Sequence, residues 1–420
     1  MLDTLKKAWR IPDLRSKILF TLLMLFIFRI GANIPVPGIN RLALTQNIPD
    51  DGLIGLFSLM SGGAFKNFTL FALGITPYIT SSIVMNLLQI AIPQLEALAK
   101  EGEVGRKKIA QYTRYLTVVL AALQAWGFSA FMFRPYFINY SWMSVLIATV
   151  VITAGTAFLM YLGEKINEHG IGNGISLFIF AGIVASIPAG AYNMWLALRT
   201  GQINILSVLV FLIVALAIIV GVIFITQGQR KIPVQYSKRV VGRKMYGGHS
   251  SHIPLKVNQT GVIPIIFAVS ILMFPYTIAG AFFPGSAVDN FFRNTFTQSS
   301  VAYNVIYAAL IIAFTYFYTA VTFNPNEISD NMKKNGGFIP GIRPGASTTN
   351  YITRSLNRLT IVGAVFLALI ATIPNIILSL AKMPMNFGGT SLLIVVGVAL
   401  ETMKQIEAQM TMRHYKGFLR

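Results

Sequence analysis

Apolar runs of membrane-crossing length recur from one end of this chain to the other, and nothing else in the sequence restricts its fold as tightly. A hydrocarbon layer about 30 Å thick takes a helix of roughly 20 residues. Only a helix or a closed barrel satisfies its own backbone there. Ten such runs are read near 18–34, 69–91, 110–131, 143–163, 174–190, 204–226, 259–281, 302–323, 359–380 and 390–410. The prediction is an all-α polytopic membrane protein. Composition agrees, because only 11% of residues are charged, against roughly 25% in a soluble domain. With no cysteine, disulfides and thiolate metal sites are excluded. The four histidines, His169, His249, His252 and His414, fall in polar connections, so no metal or other cofactor is expected.

The net charge of +20 would point to nucleic acid in a soluble protein. Here its distribution orients the chain. Of 34 Lys and Arg, 27 fall in the first seventeen residues, the connections on that side and the tail, and 7 on the opposite side. Positive-inside bias then puts both termini in the cytoplasm, as an even number of spans requires. Residues 1–17 carry Leu2, Leu5, Trp9 and Leu14 among Lys6, Lys7, Arg10 and Arg15. They read as an amphipathic helix on the cytoplasmic surface and not as a removable leader.

Two connections on the basic side are long: 229–257 and 324–356. Alternation in RKIPVQYSKR predicts a short strand, and the Gly pairs at 247–248 and 336–337 predict hairpin tips. Both loops read as ordered, partner-facing surfaces. On the opposite side, residues 52–68 contain an apolar stretch far too short to span. It reads as re-entrant or packed inside the bundle, with Gly62-Gly63 as a hinge before the second span.

A weak internal repeat is more informative. Gly74-Ile-Thr-Pro77-Tyr-Ile79 in span two echoes Gly261-Val-Ile-Pro264-Ile-Ile266 in span seven. Gly174-Ile-Ser176-Leu-Phe-Ile179 in span five echoes Gly389-Thr-Ser391-Leu-Leu-Ile394 in span ten. Two matches in register imply a five-plus-five duplication, 18–190 and 204–410, followed by a tail, 411–420. Five being odd, the second half inserts upside down, and such repeats place their working site between the halves near the midplane. Any one isoleucine is ordinary packing or lipid contact; Ile79 with Ile266, and Ile179 with Ile394, stand out because they recur.

Span interiors are nearly free of charge, with Arg29, Glu164, Glu401 and Lys404 at or near span ends, where snorkelling or headgroup contact accounts for them. No carboxylate pair offers a proton relay, and neither HExxH nor GxSxG occurs, so no catalytic residue is assigned. A secondary transporter of a lipid or small solute shares the inverted-repeat plan; missing midplane charge and the large loops argue against it. An intramembrane acyltransferase lacks a nucleophile or base.

Several strings together resemble the SecY family, most nearly that of Gram-positive bacilli, over essentially the whole chain. They are Ser61-Gly-Gly-Ala64, Ala72-Leu-Gly-Ile-Thr-Pro-Tyr-Ile79, Gly102-Glu-Val-Gly-Arg106, Gly170-Ile-Gly-Asn-Gly-Ile-Ser176, His252-Ile-Pro-Leu-Lys-Val-Asn258, Phe338-Ile-Pro-Gly-Ile-Arg-Pro-Gly345 and Gly388-Gly-Thr-Ser-Leu-Leu-Ile-Val395. The resemblance implies a clamshell of two inverted halves around an hourglass pore. It conducts unfolded preproteins across the bacterial cytoplasmic membrane and releases signal peptides and membrane anchors sideways into lipid. Motif by motif, the pore ring falls on Ile75, Ile79, Ile175, Ile179, Ile266 and Ile394. A plug falls on 53–66, including Leu53, Leu56, Phe57, Leu59, Met60, Ser61, Gly62 and Gly63. Spans two and seven, against three and eight, form a lateral gate with polar positions Thr80, Gln124 and Ser270. Ordinary helix–helix hydrogen bonds of about 0.6 kcal/mol account for these three equally well. Lys238, Arg239, Arg243, Lys244 and Arg343 match the docking surface for the SecA motor ATPase and ribosomal RNA. Small membrane subunits resembling SecE and SecG are the implied partners.

Overall fold

The computed structural model describes residues 2–41, 43–44, 52–236, 239–241, 244–246, 250–283, 286–287, 291–292, 295, 300–380 and 389–417. A short helix α1 (Leu2–Arg10) precedes α2 (Pro12–Gly31), and a second short one, α3 (Gly52–Met60), follows it. Then come α4 (Thr76–Ala91), α5 (Pro93–Lys100), α6 (Glu103–Gly127), α7 (Trp142–His169), α8 (Gly174–Arg199) and α9 (Ile205–Gln227). Strands β1 (Gln229–Tyr236), β2 (Arg239–Val241), β3 (Lys244–Tyr246) and β4 (Ser250–Lys256) lead to α10 (Ile263–Phe282) and α11 (Val301–Thr322). The chain continues through α12 (Pro325–Lys334), β5 (Gly337–Phe338), α13 (Ala346–Leu380) and α14 (Gly389–Gly417). Among the described residues seven helices are long and apolar enough to cross a membrane. The other three of the expected ten are α2, which carries Asp13, Arg15, Lys17 and Arg29, α10, and α4, which has only 16 residues.

Span two is therefore shorter than expected. Residues 61–75 form turns, and beyond α4 the chain bends by 101° into α5. Non-helical backbone survives inside a bilayer only when protein covers it. Here the turns are largely buried, and neighbours satisfy them: Leu70 N–H donates to the Ile34 carbonyl at 2.9 Å, and Val36 N–H to Phe68 at 3.1 Å.

The two halves share one neighbour pattern. In the first, α4 packs on α6, α6 on α7, α7 on α8, and α2 on both α7 and α8. In the second, α10 packs on α11, α11 on α13, α13 on α14, and α9 on both α13 and α14. Across the halves, α4 meets α10 and α8 meets α14, each helix touching its own counterpart. Self-pairing of this kind is what a two-fold relation between inverted halves produces.

The repeat extends to single atoms. Four residues before Gly74, the Leu70 carbonyl presses on Gly155 of α7, where a Cβ would lie 2.0 Å away. Four residues before Gly261, the Val257 carbonyl presses on Gly363 of α13, where a Cβ would lie 2.5 Å away. Gly74 (φ 55) and Gly261 (φ 63) then turn the chain through the left-handed region that glycine tolerates. Pro77 and Pro264 follow in the first helical turns, where a missing N–H costs nothing.

The seams between the halves differ in chemistry. Where α8 meets α14, the Gly170–Asn173 connection is pinned on both sides. Ile171 N–H donates to Thr21 Oγ1 (3.0 Å) and Gly172 N–H to Gln405 Oε1 (2.9 Å). Beneath it Ala8, Leu14, Ile171 and Ile406 form a small core. Helix α1 thus packs its Ala8 against protein, leaving Trp9 and Lys6 exposed. On the other side, α4 and α6 both pack on α10.

The two basic loops make one unit. Strand β1 pairs antiparallel with β4, and β5 adds to its other edge through Gln235↔Phe338 and Tyr236↔Gly337. Ile232, Val234, Leu255, Met332, Ile339 and Ile352 form the core beneath. The expected tips were misplaced. Val241↔Lys244 pairing puts the first reversal before Gly247-Gly248, which lie outside the described residues. Gly336-Gly337 closes no hairpin of its own, because its strand pairs with the other loop. The last residues of the 324–356 loop are helical, within α13.

Forcing a Cβ against a backbone carbonyl costs about 1–3 kcal/mol, so Gly155→Ala and Gly363→Ala are each expected to lower the melting temperature in detergent. Val220→Ala on exposed α9 should not; equal melting of all three would contradict the close contacts. Thr21→Val removes the acceptor of the Ile171 N–H and should destabilise by about 1–3 kcal/mol, read by the same melting curves.

Candidate functional site

Five of the six expected ring residues, Ile75, Ile79, Ile179, Ile266 and Ile394, are buried in a single apolar cluster, and Ile175 packs against it half-buried. They come from α8, α10 and α14, and from α4 with Ile75 as its N-cap residue. Isoleucines on the outer faces behave differently: Ile90 is 54% exposed and Ile213 66%. The repeat makes the arrangement quasi-symmetric and also shows what motif matching missed. Val262, the counterpart of Ile75, is buried in the same cluster, with its Cγ1 over Gly397 of α14. Thr390 replaces Ile175 at the fourth position, and Tyr307 Oη and its hydroxyl lie 3.1 Å apart.

Helix α3 packs on α8 beside this cluster. Phe57 and Leu59 are buried, and Met60 is half-buried; the side chains of Leu53 and Leu56 lie outside the described residues. Ser61 Oγ donates to the Ser58 carbonyl (3.2 Å) and accepts from Phe65 N–H (3.0 Å), closing the helix end. Gly62 (φ 65) and Gly63 (φ 88) reverse the chain. Phe57 and Phe65 then stack at 5.2 Å, and both meet Phe128 in the single π-helical turn Phe128–Met132 after α6. Phe65 and Phe68 also pack on Phe133, at 5.6 and 4.1 Å. This aromatic cluster was not anticipated, since phenylalanines in so apolar a chain carry no distinguishing local signal.

The expected gate polar groups do not bond across the seam. Thr80 Oγ1 donates to the Thr76 carbonyl (3.1 Å) and Ser270 Oγ to Ile266 (2.8 Å), each within its own helix. Gln124 Oε1 is buried without a hydrogen-bond partner. The helix–helix hydrogen-bond reading of these residues is thereby overturned for the two hydroxyls.

Snorkelling also fails for three of the four charges near span ends. Arg29 donates to the Gly62 carbonyl at 3.2 Å. Glu164 of α7 accepts from Arg114 of α6 at 2.7 Å. Lys404 donates to the Thr226 carbonyl at 3.1 Å, at the end of α9. Hydropathy locates a charge along a span, but a partner 33, 50 or 178 residues away is invisible to it.

On the sheet unit, Arg343 is exposed and held by a stiff loop. Gly341 (φ 80) and Gly345 (φ 103) turn on either side, and Thr348 Oγ1 donates to the Arg343 carbonyl at 3.0 Å. Arg239 and Lys244 lie in β2 and β3 with side chains outside the description; Lys238 and Arg243 fall outside the described residues altogether. A cavity of about 210 Å³ opens below the sheet, lined among others by Lys256, Tyr318, Phe366, Glu401 and Lys404, all from the second half.

A sequence model of the family described as SecY matches residues 69–403. The protein translocase subunits SecY of Halalkalibacterium halodurans and Bacillus subtilis are 52% and 50% identical, each covering 100% of both chains. In fold, the chain matches a solved protein-conducting channel with a TM-score of 0.67 at 20% identity, covering 94% of this chain and 92% of that one. It matches Sec61 in the canine ribosome–channel complex from the endoplasmic reticulum with a TM-score of 0.64, at the same identity and coverage. Full-length identity of this order, on a fold of paired five-helix halves, leaves one assignment: the chain belongs to the SecY family.

Proposed function

We propose that the chain is the protein-conducting channel of a bacterial Sec translocon. It passes unfolded preproteins across the cytoplasmic membrane and releases signal peptides and membrane anchors sideways into lipid. What supports this reading is the likeness, at about half identity over the full chain, to SecY subunits of protein translocases, together with the burial of Ile75, Ile79, Ile179, Ile266 and Ile394, drawn from both halves, in the main apolar core. Isoleucine offers no hydrogen bond, so a narrow collar of it excludes water and ions by dewetting. The same stiff, apolar side chains bind no particular sequence as a chain passes.

Helix α3 and its following turns act as the plug of the idle channel. The α4/α6–α10 contact is the lateral gate. Gln124 Oε1, on the gate helix α6, is buried without a hydrogen-bond partner. An unpaired buried acceptor costs about 1–3 kcal/mol and favours opening toward a polar chain. Charge asymmetry supports cytoplasmic termini, which places the sheet unit in the cytoplasm. There the basic loops, Lys238, Arg239, Arg243 and Lys244 together with Arg343, dock a SecA-type motor and the ribosome. Small SecE-like and SecG-like subunits complete the complex in the membrane. The transporter alternative requires a polar site between the halves; the described cavity lies within the second half alone.

Ile79→Asn and Ile394→Asn should each raise ion leak through the resting channel and allow export of preproteins with defective signal sequences. Leak and stringency equal to the unaltered protein in vesicles would sink the collar assignment. Arg343→Glu should reduce motor-driven export at least tenfold, about the worth of one charge-assisted hydrogen bond, while the protein still inserts and accumulates. Undiminished export would remove Arg343 from the docking surface.

A further inference from the structure

Arg29 stands in the last turn of α2, and its Nη1 donates to the carbonyl of Gly62 at 3.2 Å. Gly62 lies two residues beyond the end of α3. The guanidinium therefore meets a free carbonyl at the C-terminal end of a helix, the end that favours a cation. The fit there is tight on both sides. A Cβ on Gly62 would lie 2.8 Å from Arg29 Nη1 and 3.0 Å from Gly182 Cα in α8. A Cβ on Gly182 would lie 2.9 Å from both Met60 O and Gly62 N. The end of α3 is thus clamped between a guanidinium and the bare backbone of α8, one turn beyond Ile179. Asn33 Nδ2 donates to the Arg29 carbonyl at 2.8 Å, bracing the helix end that carries the clamp.

We infer that Arg29 is a positioning residue for the resting seal: its hydrogen bond to the Gly62 carbonyl holds α3 against the collar, and the bond must break before α3 can leave. The inference rests on the reading of α3 as plug. Glycine at 62 and 182 is what lets the guanidinium and both backbones come together, and lysine, with a single point charge in place of a fork, would hold less well.

The test measures resting ion conductance per folded channel, using the assembled translocon in sealed vesicles. Arg29→Gln should raise the leak about tenfold, as expected for loss of one charge-assisted hydrogen bond, and Arg29→Lys should restore part of the seal. Deleting residues 53–60 should leak at least as much, and adding Arg29→Gln to that deletion should change nothing further. If the deletion leaks while Arg29→Gln alone does not, the clamp is overturned and the plug survives. A leak from Arg29→Gln that still adds to the deletion places its action elsewhere, and likewise overturns the clamp. A deletion without leak removes the plug and the clamp together. Should Arg29→Gln fail to accumulate, Gly62→Ala, which crowds the guanidinium, is read in its place with the same expected rise.

Discussion

Two carbonyl groups resting on two glycines hold the centre of this molecule in place. Leu70 presses on Gly155 and Val257 on Gly363, each four residues before the glycine that turns the chain into α4 or α10. Close backbone contact of this kind, driven by van der Waals packing where lipid supplies no hydrophobic force, is how helices associate in membranes. It sets the height at which α4 and α10 begin, and so the level at which Ile79 and Ile266 enter the buried cluster. A side chain at either glycine would displace the turn, and with it the isoleucine that follows.

The seams divide the mechanical work between them. At the α8–α14 side, the connection between α7 and α8 hydrogen-bonds to Thr21 in one half and Gln405 in the other. Separating that side breaks both bonds, one of them buried, and a buried N–H left unpaired is costly. At the α4–α10 side, Thr80 and Ser270 spend their hydroxyls inside their own helices.

Much of the fold was legible because its signals are local. Apolar run length located the ten spans, and GIxPxI against GVIPII located the repeat. RKIPVQYSKR marked a strand, observed as β1 (Gln229–Tyr236). Failures came where structure depends on distant partners. Residues 69–75 look as apolar as a helix and are turns, because Ile34 and Val36 complete their hydrogen bonds. Gly336-Gly337 looks like a hairpin tip, yet Gly337 opens an edge strand, because β1 of another loop lies within reach. Arg29 and Glu164 look like free interfacial charges and are each bonded to another segment of the protein.

By itself the sequence determined the class of molecule, the order of its apolar segments and the two-fold kinship of its halves. Length, hydropathy and charge distribution are properties of single segments measured against a bilayer, which needs no knowledge of neighbours. Tertiary structure alone decided which isoleucines are buried in the core, as Ile79 and Ile266 are, and which stay exposed, as Ile90 and Ile213 do. Helix α9, with mean hydropathy 3.5, is apolar on every side, as most spans here nearly are, and a helix without a polar face carries no periodic mark of what it will touch.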